Sequence, residues 1–72
     1  MDHTTAALIA NMNALAGLLA DAAKYAAEAA AEMAAGNRNL AVGTLLQIER
    51  TVPDAAVIMQ ATLALHRVAG RR

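Results

Sequence analysis

Glu28 and Glu32 stand one helical turn apart. Two carboxylates at that spacing could share a divalent metal or trade a proton. The di-metal helical bundles that use such pairs add a Glu-x-x-His motif, and this chain has none. The plainer reading is a solvated face, with Lys24 and Glu28 an i,i+4 pair in the weaker orientation and Glu32 reaching Arg38 across a turn. Both acids fall in the C-terminal half of their helix, against its dipole, which hints at a basic neighbour.

The two histidines are isolated. His66 lies in "LALHRV", beside Met59 and Thr62 in helical projection. It could act as a ligand or a pH-sensitive group, but the ordinary role is a partly buried imidazole with one hydrogen bond. His3, third from a free amino terminus, could complete a square-planar nitrogen site for Cu(II) or Ni(II); any chain with histidine third shares that property. Arg67, Arg71 and Arg72 close the sequence. They could touch nucleic acid, yet no exposed aromatic accompanies them for stacking, and cations at a helix C-terminus are what its dipole favours.

What is missing narrows the chemistry further. There is no serine and no cysteine, so neither the hydroxyl nor the thiol nucleophile used in acyl transfer is available. The glycines stand alone at 17, 36, 43 and 70, which excludes a phosphate-cradling loop. We expect no enzyme, no cofactor and no metal site beyond the weak one at His3.

Seventy-two residues make one domain, 1–72, with 1–3 and 70–72 expected as flexible ends. The apolar fraction is 58%, and half of it is alanine. A chain this short seldom gains more than about 3–5 kcal/mol from its own core and usually adds a staple. Without cysteine, oligomerisation is the common one left. The net charge is zero, but residues 1–36 carry −3 and residues 37–72 carry +3, which favours the halves lying side by side. The start "MDH" is no positive leader region. Residues 4–20 lack charge but include Asn11 and Asn13, so the expectation is a cytoplasmic chain with no membrane span.

The elements follow from apolar spacing. Leu8, Met12, Leu15, Leu19, Ala22, Ala26, Ala29 and Met33 recur at intervals of 4 and 3, a heptad seam on one long helix at about 4–35. Thr4 or Thr5 can cap its start, and Gly36 can end it in the left-handed conformation. "GNRN" then reads as a turn, with Asn37 or Asn39 capping a second arm at about 38–69. Ala41, Leu45, Ile48 and Val52 carry the spacing on to Pro53. There the arm either kinks or stops and restarts; a proline followed by Asp54 favours a restart with Pro53 in the first turn.

Arms of equal length predict an all-α antiparallel hairpin. Its alanine-rich stretch would lie opposite residues 38–52, with Ala22, Ala26, Ala29 and Gly43 as the close contact and Gly43 near Ala31. The last helix is apolar nearly all round, which calls for burial on more sides than one arm can cover. The expected interface therefore comprises Leu8, Met12, Leu15 and Leu19 with Val57, Ile58, Ala61, Leu65 and Val68, joining hairpins into a homo-oligomeric bundle, a dimer first. The function expected is protein–protein interaction with itself or another protein, as an oligomerisation, adaptor or regulatory module. The alternative is a nucleic-acid-binding regulator on a Rop-like dimeric bundle, a comparison of architecture alone. A third is an amphipathic binder of lipid or apolar surfaces, for which the flanking Lys/Arg and aromatic residues are lacking.

Overall fold

The computed structural model describes residues 2–71, and it is all-helical: α1 (His3–Ala34), α2 (Arg38–Leu46) and α3 (Thr51–Ala69). Helix α1 is capped neither by Thr4 nor by Thr5. Asp2 is extended and its Oδ1 accepts the Thr5 backbone N–H at 2.6 Å. A carboxylate three residues ahead satisfies an orphan amide and complements the dipole, so both threonines fall inside the first turn.

The turn forms where glycine allows it. Gly36 has φ 87°, the left-handed region. Its N–H bonds the Met33 carbonyl at 3.0 Å, and the Asn37 N–H bonds the Glu32 carbonyl at 2.9 Å. These two crossed bonds close the last turn of α1 as a Schellman motif. Asn37 then occupies the N-cap position of α2 without a side-chain capping bond, and Asn39 lies within that helix.

The second arm is bent, at residues 47–50. In this link the amides of Gln47, Ile48, Glu49 and Thr51 bond carbonyls three residues back, at 3.1–3.2 Å. The i→i−4 ladder resumes with the Asp54 N–H on the Arg50 carbonyl. Pro53 explains the place. It cannot donate to the Glu49 carbonyl, and its ring crowds that carbonyl, so the helix opens one turn upstream of the proline. Val52, which a following proline disfavours as helical, is nonetheless in α3, and Pro53 sits in the first turn.

The arms pack side by side as a hairpin. Buried or half-buried positions on α1 include Leu8, Asn11, Leu15, Leu18, Ala22, Tyr25, Ala29 and Glu32, again at intervals of 3 and 4. On the second arm the buried set is Ala41, Thr44, Ile48, Ala55 and Thr62. Thr62 satisfies its hydroxyl within its own helix, donating to the Ile58 carbonyl at 2.7 Å. Among the described residues no large side chain is fully buried. The molecule measures 56 × 18 × 13 Å with a radius of gyration of 16.5 Å. Its thinnest dimension is little more than one helix, and a compact chain of this length would have a radius near 11 Å.

Candidate functional site

The contact seam is not the seam that apolar spacing alone predicts. Leu8, Leu15, Ala22 and Ala29 belong to both. Their partners in the contact are Asn11, Leu18, Tyr25 and Glu32, whereas Met12, Leu19, Ala26 and Met33 are exposed. The hairpin thus closes about half a helical step away from the centre of the apolar arc of α1. What it leaves uncovered is a stripe repeating every seven residues along one side.

The second arm continues that side. Met33, Ala26 and Ala30 border a cleft of about 270 Å³ with Val42 and Leu45, floored by Ala29 and Ala41. Farther along, Leu15 and Leu19 border one of about 220 Å³ with Val52, Ala56 and Met59. Heptad steps from these positions place Ile9 and Leu63 on the same side, and both are exposed. The result is one open apolar face running the length of the hairpin. Charges gather on the opposite side and outer edges: Asp21, Lys24 and Glu28 on α1, Arg50 and Asp54 on the second arm, all exposed.

The predicted interface residues divide between these environments. Leu8, Leu15, Ile58 and Leu65 are half-buried in the hairpin seam, while Met12 and Leu19 lie on the open face. Val57, Ala61 and Val68 are exposed on the other side of α3. Of the expected close contacts, Ala29 is buried, Ala22 half-buried and Ala26 exposed. Gly43 is no contact at all: a Cβ added there would meet nothing within 4 Å. The close approach falls to Ala41 and Thr44 on either side of it. Val42, Val52 and Met59 are face residues that were not singled out as such. The signal for Val52 and Met59 was their spacing of seven from Leu45, with Val42 one turn before it.

Arg67 and Arg71 are exposed near the open end, and Arg72 lies outside the described residues. His66 is exposed at the margin of the apolar face. His3 is the first residue of α1, but Met1, needed for its metal site, lies outside the described residues. Among the described residues no three His, Cys, Asp or Glu side chains gather at metal-binding distance. Glu32 leans into the hairpin with its Oε1 buried and without a hydrogen-bond partner among the described residues, so that oxygen does not make the expected reach to Arg38. The Asp2 carboxyl is held below its ordinary value, chiefly by the Thr5 backbone N–H.

Helix α1 is also long and apolar enough to cross a bilayer, against the expectation drawn from Asn11 and Asn13: it has an 18-residue window of mean hydropathy 1.4, of which 6% is buried in the hairpin. Comparison with protein-family models, with curated proteins and with solved structures finds no match.

Proposed function

We propose that this chain is a non-enzymatic interaction module that works by homo-oligomerisation, presenting apolar helix faces to its partner. The observation that carries this reading is the open face: a single layer of two helices leaves Met12, Leu19, Met33, Leu45, Val52 and Met59 about half exposed along one side. Contiguous apolar surface on that scale marks an interaction site. Three of its members, Met12, Met33 and Met59, are methionines, and flexible thioethers adapt well to a packed interface. The test is mass in solution across a dilution series with helicity followed in parallel. The expected result is loss of mass and of helicity together; a fully helical monomer at micromolar concentration sinks the reading.

The length and hydropathy of α1 favour a second reading, association with a bilayer. Flotation with neutral phosphatidylcholine vesicles tests it: chain that stays with the aqueous fraction removes it.

A further inference from the structure

We infer that the open face is closed by a second copy of this chain, laid across it antiparallel, with the alanine half of each α1 receiving the bulky half of the other. The inference rests on the interaction-module reading and supplies its partner and geometry.

Area points to a second copy. A compact 7.4 kDa chain would expose about 4,200 Å², whereas this one exposes 5383 Å². The excess, about 1,200 Å² per chain, exceeds the roughly 800 Å² that each partner buries in a standard interface. A second hairpin of the same outline supplies the missing layer, and a two-fold axis makes one face serve as both surfaces.

Charge is sparse on this face. The α1 side of it, from Ile9 to Met33, contains no ionisable residue. The second arm contributes Arg38, Glu49 and His66, all exposed, with Arg38 and His66 at the two ends of the face and Glu49 at its middle. Stacking two such faces leaves the α1 layers free of charge and brings one mid-face carboxylate per chain to the second-arm layer.

Shape sets the direction. The face of α1 is bulky at Ile9, Met12 and Leu19, then smooth at Ala23, Ala26 and Ala30 as far as Met33 at its end. The 270 Å³ cleft lies in the smooth half, beside Val42 and Leu45. A two-fold axis at the midpoint of α1 places Leu19 beside Leu19 of the partner subunit and Met12 against Ala26 of the partner subunit. Away from the axis the bulky half of each α1 then lies over the alanine half of the other, which evens the layer spacing along the bundle. Hairpins stacked with their turns together would instead crowd Met12 and Leu19 against Met59 and Leu63 at one end. They would leave the alanine cleft unfilled at the other, and interiors do not tolerate such voids cheaply.

The experiment uses the full chain with one spin label, attached through Asn37→Cys at the turn; the sequence has no other cysteine. Asn37 is exposed and makes no capping bond, so the label does not disturb the helix. Expected is a dimer whose two labels lie about 48 Å apart, the length of a 32-residue helix. In the same assay Leu19→Glu should weaken dimerisation about a hundred-fold, since the charge would meet its copy at the axis. Val57→Glu, on the opposite side, should leave it unchanged. A dimer with labels within about 20 Å overturns the antiparallel arrangement and leaves the module reading standing. Dimerisation lost in Val57→Glu but kept in Leu19→Glu overturns the face. A helical monomer overturns the second copy and assigns the face to a different protein, or to lipid if the chain floats with vesicles.

Discussion

Leu18 and Leu19 are neighbours in sequence and part company in the fold: Leu18 turns into the contact between the arms, and Leu19 stands 51% exposed on the open face. The two therefore report on different associations. Leu18→Ala should destabilise the hairpin itself by about 1–2 kcal/mol, the lower end for a half-buried leucine. Leu19→Ala should leave the contact between the arms unaltered and weaken association. Urea unfolding at several protein concentrations separates them: only the Leu19→Ala penalty should shrink as the chain is diluted.

The alanines of α1 divide in the same way. Ala29 is buried between the arms, Ala26 is on the open face and Ala31 is exposed elsewhere. Ala29→Leu should cost about 1–3 kcal/mol through overpacking in the hairpin. Ala26→Leu should act only on the oligomer, and Ala31→Leu on neither. Thermal melts of the three variants at high and low concentration give the comparison.

Glycine substitutions should have opposite signs along one chain. Gly36 needs its positive φ, so Gly36→Ala should cost about 1–2 kcal/mol. Gly17 is helical with nothing within 4 Å of an added Cβ, so Gly17→Ala should stabilise by about 0.5–1 kcal/mol. Denaturant midpoints would show both.

The Asp2 cap carries a pH signature. Its carboxyl is lowered from 3.8 by the Thr5 N–H. A depressed carboxyl contributes stability that is present above its unfolded value and is lost as pH falls through the folded one. The first turn of α1 should therefore fray only below about pH 4, the ordinary aspartate range. Amide exchange at Thr5 would follow it. Asp2→Asn, which caps about as well, should remove the pH dependence while keeping the turn.

Replacing Pro53 should lengthen the helix. In Pro53→Ala the new N–H can reach the Glu49 carbonyl, and the link at 47–50 can join the i→i−4 ladder. Circular dichroism should show about one more turn of helix, roughly four residues.

Much of this was legible in the sequence, because its signals are local. Gly36, the turn after it and the outer limits of both arms depend on backbone chemistry that a single residue type declares. The rotation of α1 was not legible. Its apolar arc combines two surfaces, one for the hairpin and one left open, and periodicity finds only their common centre. Asn11, Tyr25 and Glu32 carry no apolar signal strong enough to place the contact where it is. Gly43 was misplaced for a different reason: it stands two residues after the buried Ala41, about 200° round α2, and so faces away from the contact. The break was looked for at Pro53 and lies one turn earlier, because a proline disturbs the carbonyl four residues behind it.

The link at residues 47–50 also keeps the second arm in phase. An α-helix drifts by about 20° per heptad against a strict seven-residue repeat, while each residue wound at three per turn gains about 20°. Four such residues return roughly the angle that a four-heptad arm loses. Ala41, Thr44, Ile48, Thr51, Ala55, Ile58 and Thr62 can thus follow one line across the break. A straight second arm would have to supercoil around α1 to do the same; here a single tightened turn acts as a vernier, correcting the rotation once at mid-length.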